Sequence, residues 1–465
     1  MTRLGDVCEK IGSGATPRGG KEAYKDAGIP IIRSQNIHDW VFQPDGLAFL
    51  DDEQAESLSN VEVRSNDVLL NITGDSVARA CIVPSERIPA RVNQHVAIVR
   101  AGKEINPTYL LASLQSKKTM LLSLASSGAT RNALTKRMIE NLDIDLPSRE
   151  IQDSIAQVLD SIQYKITLNN RLNDYLLELI SSVFAHRFSS NVNTTDLKNV
   201  LSISTKALKP QEHASEIWEH YSIPAFDEKH RPIFEPASEI KSNKYQIDNE
   251  CILISKLNPS TKRIWMPYCS SNNAVCSTEF IVYRPYLKEY KSFYYAAIDS
   301  PGFTDYLLEH VSGSTGSRQR AQPKDTLHYL IPNPSNEEIK DFCTFADPIY
   351  RHVQINEQQT AKLELLRDTL LPKLMSGEID VSKVDLTQLT NNHLAGRMHW
   401  SNVIRVRAIH AVHSQQSQIP AYESVPKVSH SPCRTALTLG GIAPLLSWLS
   451  VSQFTAQSFA MLVVF

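Results

Sequence analysis

From Ile151 onward the chain repeats apolar residues at alternating steps of four and three. Positions 151, 155, 158, 162, 165, 169, 172, 176, 179 and 183 carry Ile, Ile, Val, Ile, Lys, Asn, Leu, Leu, Leu and Val. Eight of these ten are apolar, which describes the narrow seam of a coiled coil rather than a broad globular stripe. A shift of 187 residues lands on Glu338, Phe342, Phe345, Ile349, His352, Asn356, Gln359, Leu363, Leu366 and Leu370. The polar interruption recurs in register, Asn169 over Asn356, and Leu176 falls on Leu363 in the same seam. A buried seam Asn fixes register at some cost in stability. Antiparallel pairing about a local two-fold axis therefore predicts that Asn169 and Asn356 face each other near the middle of the coil. Ser335-Asn-Glu-Glu338 reads as a capping box opening the second helix; Ser148 can cap the first, but Ile151 at its third position leaves that box incomplete. Pro348 is expected to kink or restart the second helix and Pro372 to bend its end, making it the less regular of the two.

The repeat reaches well beyond the helices. Leu4-Gly-Asp-Val7 answers Leu197-Lys-Asn-Val200, Asn66-Asp-Val-Leu-Leu70 answers Asn249-Glu-Cys-Ile-Leu253, and Val96-Ala-Ile-Val-Arg100 answers Phe280-Ile-Val-Tyr-Arg284. Ser127-Gly-Ala-Thr-Arg131 then lies over Ser314-Thr-Gly-Ser-Arg318, and Pro147-Ser148 over Pro334-Ser335. Each half opens with a mixed segment rich in β-branched runs and broken by Gly and Pro turns, after which Pro-Ser starts the helix. The expected fold class is α+β: a first domain over 1–147, a long helix over 148–190, a second domain over 191–334 and a second long helix over 335–385, the helices forming an antiparallel coiled coil.

Composition adds little. At 465 residues the chain exceeds one ordinary core, and 42% hydrophobic with 21% charged residues fits a soluble globular protein. The seven cysteines are scattered and never spaced C-x-x-C, which predicts reduced thiols in the cytoplasm rather than a zinc ribbon or disulfide framework. The start, MTRLGDVCEK, has no apolar stretch of signal-peptide type. A net charge of −2 does not advertise a nucleic-acid binder, although acidic helices can offset basic loops. From Ala395 the composition changes: Glu423 is the one acidic residue that follows, and Thr435 to Phe465 carries no charge. Gly440-Gly441 and Pro444 make that stretch a poor membrane span. The tail over 386–465 is expected to be a poorly ordered, non-homologous extension that needs no membrane.

Motifs of catalysis are missing. Gly14-Ala-Thr-Pro-Arg-Gly-Gly-Lys21 imitates a phosphate-binding loop, but Gly20 displaces the lysine, Glu22 follows it and Pro17 removes a donor. Asn258-Pro-Ser and Asn333-Pro-Ser lack the aromatic and the Gly-rich cofactor loop of a base methylase, and H-E-x-x-H and G-x-S-x-G do not occur. The chain is therefore expected to recognise rather than react. Candidate DNA-contacting positions are Ser13, Thr16, Arg18 and Lys21 in one loop, Thr73 and Arg79 in another, and Thr130, Arg131, Asn132 and Lys136 in a third. The second half offers Lys256, Arg263, Arg318, Gln319 and Arg320. Arg reads guanine and Asn or Gln reads adenine through paired hydrogen bonds, whereas Lys, Ser and Thr mostly hold phosphates.

Leu4-Gly-Asp-Val7 with Ser13-Gly-Ala-Thr-Pro17, then Gly28-Ile-Pro-Ile-Ile-Arg33 and Asn36-Ile37, resembles the opening of a target-recognition domain in type I restriction-modification specificity subunits. Asn66-Asp-Val-Leu-Leu70, Leu146-Pro147 ahead of a long helix, and Leu370-Leu-Pro-Lys-Leu-Met-Ser-Gly-Glu-Ile379 extend the resemblance to about residue 385. The family's usual Glu-Gln at the helix start is altered to Arg149-Glu-Ile-Gln152 and Asn336-Glu-Glu-Ile339. The resemblance implies two target-recognition domains reading the halves of an interrupted double-stranded DNA site, with the helices as a ruler. It also implies two methyltransferase subunits supplying S-adenosylmethionine chemistry and restriction motor-nuclease subunits using ATP and Mg, leaving this chain non-catalytic and without a cofactor. A helix of about 37 residues is roughly 55 Å long, compatible with half-sites about one DNA turn apart. The competing classes are a protein-interaction scaffold with no DNA role and an enzyme with degenerate motifs.

Overall fold

The computed structural model describes residues 1–126, 132–190, 193–213, 215–312 and 319–381; the expected tail over 386–465 lies outside them. The described chain divides into two compact units, 1–173 with 355–381, and 174–354. The division passes through both long helices, so each unit contains part of each.

In the first unit, strands β1 (Cys8–Ser13), β2 (Val68–Asn71), β3 (Ala80–Ile82) and β4 (Val96–Ala101) form an antiparallel sheet in the order β1-β4-β2-β3. Both faces are covered. Val68, Leu70, Ala97 and Val99 enter a core with Tyr109, Leu110, Leu159 and Ile162. Their neighbours Leu69, Cys81, Val96 and Ile98 enter another with Ile31, Leu50 and Val92. Successive strand residues point to opposite faces, so a sheet buried on both sides reads as unbroken apolar runs. The last three named belong to a smaller sheet, ordered Ala48–Leu50, Ile29–Ile32, Ala90–Val92, Glu62–Val63, whose central pair is parallel.

The second unit repeats this plan. Strands β5 (Leu201–Ser204), β6 (Ile252–Ser255), β7 (Ile264–Trp265) and β8 (Phe280–Pro285) take the order β5-β8-β6-β7. A second sheet again has a parallel central pair, Ile217–Tyr221 with Ala274–Ser277, and adds one strand, Ala207–Leu208. Strand pairing also corrects one sequence match. Val68 opposes Val99 and Ile252 opposes Tyr283, so Val68 corresponds to Ile252. Matching Asn66 to Asn249 slips the strand by one residue, which would exchange its two faces. The turns before these strands differ: Asp67 grips Arg100 at 2.7 and 2.8 Å, whereas the partner of Arg284, Asp248, stands farther back in its turn.

The long helices span Arg149–Phe188 and Asn336–Met375, 40 residues each, displaced by 187 positions at both ends. Helices and sheets together make the chain α+β. The second helix runs through Pro348 and Pro372 without a break, against the expectation of a restart. A proline removes one N–H donor, and here Ala346, Ile349 and Tyr350 anchor that turn in the second unit's core. The capping box forms: Glu338 N–H donates to Ser335 Oγ at 3.3 Å and Ser335 N–H to Glu338 Oε2 at 2.8 Å. The first helix is held differently, by a buried Gln152 that donates to the carbonyls of Glu104 and Pro147 and accepts from Asn106 N–H.

The seam itself needs correction. Ile162, Asn169, Leu176 and Val183 are buried as expected, but the intervening positions are Ile166, Asn173 and Ile180, not Lys165, Leu172 and Leu179. The second helix shows the same one-residue offset, burying Val353, Thr360 and Arg367. The Asn169–Asn356 pair also does not meet in the expected way. Asn356 donates to Asn173 Oδ1 at 2.8 Å, while Asn169 donates to Gln359 Oε1 at 3.0 Å and Thr360 Oγ1 at 3.4 Å. Asn173 and Thr360 are themselves related by the 187-residue shift, so Asn356–Asn173 and Asn169–Thr360 are one contact made twice. The local axis falls between positions 169 and 173, and equivalent residues pass each other. Leu176 packs in the second unit's core and Leu363 against the first unit's core.

Candidate nucleic-acid interface

One end of the first unit's main sheet collects the loops singled out in the sequence. The loop after β1 turns back over the Asn93–His95 turn: Gly14 N–H donates to Val96 O at 2.8 Å and Ala15 N–H to Val92 O at 3.0 Å. A Cβ on Gly14 would stand 2.1 Å from Val92 O, so this close crossing requires glycine. The segment after β2 is pinned between two neighbours. Ile72 N–H donates to His95 O at 3.0 Å, Leu134 N–H to Ile72 O at 2.8 Å, and Gly74 N–H to Asn132 O at 3.2 Å. Ser13, Thr73, Asn132 and Lys136 thereby gather on one polar rim.

The second unit builds the same rim from the same bonds. Lys256 N–H donates to Glu279 O, Ala321 N–H to Lys256 O and Asn258 N–H to Gln319 O, each at 2.9 Å. These positions are the repeat counterparts of Ile72, His95, Leu134, Gly74 and Asn132. The isolated bridges Thr73–Ala133 and Leu257–Arg320 correspond as well. The backbone is constant, yet the side chains on it differ: Thr73 becomes Leu257, His95 becomes Glu279, Asn132 becomes Gln319 and Ala133 becomes Arg320. Beside each rim, between the edge strand and the short helix after the crossing, lies a cavity. One, of about 170 Å³, is lined by Ser13, Thr135 and Lys136. Its counterpart, of about 760 Å³, is lined by Ser202, Thr205, Gln322 and Lys324.

The candidate residues fare unequally. Ser13, Thr16, Arg18, Asn132 and Lys136 are exposed, with Lys136 in an i,i+4 pair to Glu140 at 3.4 Å. Thr73 is half-buried and bonded through Oγ1 to His95 Nδ1 at 2.7 Å. Arg79 and Arg263 are repeat counterparts, each accepting a backbone bond from the end of the central strand. Arg263 is clamped by Asp227 at 2.6 and 2.9 Å with its side chain 11% exposed, so it braces the fold. Arg79 stands near His38, whose imidazole is pushed below its ordinary value by burial and then by that guanidinium. Arg320 is half exposed and held by Glu279 at 3.0 and 3.3 Å. Lys256 and Gln319 sit half-buried on the second rim. Thr130, Arg131, Arg318 and the Lys21 side chain lie outside the described residues. Gln94, His95 and Glu279 were not anticipated; the signal was a short polar turn between two apolar runs in each half.

In both units a constant sheet frame carries a rim that varies in side chain but not in backbone, the arrangement in which loops on a rigid scaffold carry function. Residues 1–178 match the family described as type I restriction modification DNA specificity domain. That segment carries the family's domain, and over a longer span the chain is similar to type I restriction enzyme specificity subunits. It is 21% identical over 417 residues to the type I restriction enzyme MjaIX specificity subunit of Methanocaldococcus jannaschii, covering 83% of this chain and 94% of that one. The putative MjaX specificity subunit of the same organism is 23% identical over 178 residues, 37% of this chain and 41% of the relative. A crystal structure of a type I restriction-modification S subunit from M. genitalium aligns over 80% of this chain and 95% of its own, at 14% identity and a TM-score of 0.49. Among the described residues no helix is long and apolar enough to cross a membrane, and no group of three His, Cys, Asp or Glu could hold a metal ion.

Proposed function

We propose that this chain is the recognition subunit of a type I restriction-modification complex and reads a bipartite double-stranded DNA site, one half-site per repeat. The reading rests on one observation: the three backbone bonds that build the first rim recur at the counterpart positions of the second, under different side chains. Two copies of one reader suit two half-sites of different sequence. The helices, 40 residues each, act as the ruler; at 1.5 Å per residue each is about 60 Å long.

The chain itself carries out no chemistry. Two methyltransferase subunits dock on it and bring S-adenosylmethionine, and restriction subunits bring ATP and Mg for translocation and cleavage, all in the cytoplasm. Exposed Leu168, Leu172, Ile355 and Leu366 flank the seam within the first unit, an apolar surface suited to partner helices.

The test is a swap. With residues 1–147 exchanged for the matching segment of another family member, the complex should methylate a site altered in one half only, at unchanged spacing. Removing one heptad from each helix should shorten the spacer and leave both half-sites intact. Alteration of both half-sites by the swap, or of a half-site by the heptad deletion, would refute the model.

A further inference from the structure

We propose that Gln94 reads an A·T base pair in the half-site of the first repeat, with His95 and Thr73 as its positioning residues. This rests on the DNA-recognition reading above and assigns it a residue. Gln94 is exposed on the turn between Ala90–Val92 and β4, in the middle of the rim. That turn is rigidly held: Asn93 N–H donates to Ile32 O at 3.0 Å, His95 N–H to Asn93 Oδ1 at 3.1 Å, and His95 O accepts from Ile72.

The side chains continue the chain of bonds outward. Gln94 Nε2 lies 3.4 Å from His95 Nε2, and His95 Nδ1 lies 2.7 Å from Thr73 Oγ1. A carboxamide nitrogen only donates, so His95 Nε2 accepts, and the ring proton sits on Nδ1 and is given to Thr73. One Gln94 N–H is thus committed to the ring. The other N–H and Oε1 remain, side by side, as a donor and an acceptor. That is the pair that adenine N7 and N6–H₂ require in the major groove. A long side chain ordinarily loses rotamer freedom when it binds; this one is already leaned against a fixed ring, so less is lost.

The counterpart turn in the second repeat carries different side chains. Thr278 stands where Gln94 does, and Glu279 replaces His95 and holds Arg320 instead. The two repeats place different functional groups on the same turn, which is what reading two different half-sites demands.

The experiment uses the full chain with its methyltransferase subunits and duplex oligonucleotides changed at each base pair of both half-sites, at fixed salt. The wild type should prefer A·T at one first-repeat position by on the order of 10- to 100-fold. Gln94→Ala should reduce that preference to within about twofold, leaving the other positions, the second half-site and the salt dependence unchanged. Thr73→Val should weaken the preference at that base pair alone and Thr73→Ser restore it, whereas a merely structural role for the hydroxyl would lower binding at every position together. Uniform loss on all sequences with a shallower salt slope would mark Gln94 as a phosphate contact and overturn the proposal, as would an unchanged profile. A wild-type complex with no sequence preference would instead overturn the recognition reading beneath it.

Discussion

The polar layer in the coil makes a quantitative demand on stability. Asn173 is 8% exposed and Asn356 5%, and the Asn356 amide donates to Asn173 Oδ1 at 2.8 Å. Asn173→Leu leaves that amide buried without its acceptor, a loss of about 1–3 kcal/mol. Asn356→Leu removes the donor to Asn173 Oδ1 at a similar cost. Replacing both with leucine removes donor and acceptor together, and apolar replacement of a buried polar pair is commonly neutral or stabilising. The double variant should therefore lie within about 1 kcal/mol of the wild type, or above it. The coupling energy from the cycle should then exceed about 1 kcal/mol, well outside the roughly 0.3–0.5 kcal/mol within which independent sites add. Urea unfolding followed by helical circular dichroism reads all four proteins. If the single losses simply add in the double variant, the two side chains do not share a bond in solution and the register derived from them is wrong.

The two Arg–Asp pairs that precede the central strands should separate by environment. Asp67 is 1% exposed, and Asp67→Ala removes both its bonds to Arg100, which keeps the Glu62 carbonyl and the neighbouring Glu9 and Glu62 charges, so the cost should be about 1.5–3 kcal/mol. Asp248 is half exposed in its pair with Arg284, so Asp248→Ala should cost under about 1 kcal/mol in the same unfolding assay. The capping box should titrate: the Ser335 hydroxyl and then its N–H hold the Glu338 carboxyl below its ordinary value. A depressed acid contributes stability above its unfolded value and loses it as pH falls through the folded one, so acid sensitivity should appear below about pH 4.5. Ser335→Ala should flatten that acid limb, measured as the unfolding midpoint against pH; an unchanged limb would show that the box contributes nothing.

Much of the architecture was legible because duplication supplies its own control. Leu176 over Leu363 and Asn169 over Asn356 located both helices, and the structure gives them equal length and the same offset. The alternate seam positions were misread because Leu172 and Leu179 look like better seam residues than Asn173. Hydrophobicity ranks single side chains, whereas burial is decided by the angular step along the helix, and the polar layer reverses the two at that point. Likewise Pro348 signals a break by its own chemistry, but the core around Ile349 and Tyr350 outweighs one missing donor.

The rim proposed for recognition was legible as a set of polar loops and illegible in its side-chain bonding, for a physical reason. Loop composition pointed to Ser13, Thr73 and Asn132, and backbone bonds bring those segments together on one rim. Composition could not tell a free arginine from a tied one. Arg263 and Arg320 look alike in sequence, yet Asp227 leaves the first 11% exposed while Glu279 holds the second at the edge of the rim. A cation clamped inside the fold stabilises it; one braced at the rim by a carboxylate keeps a guanidinium edge turned outward with its orientation already set. The partner that makes this distinction lies 36 residues away in the first case and 41 in the second, so it is carried by the fold and not by the local sequence. The same holds for His95, whose role depends on Thr73 standing 22 residues before it.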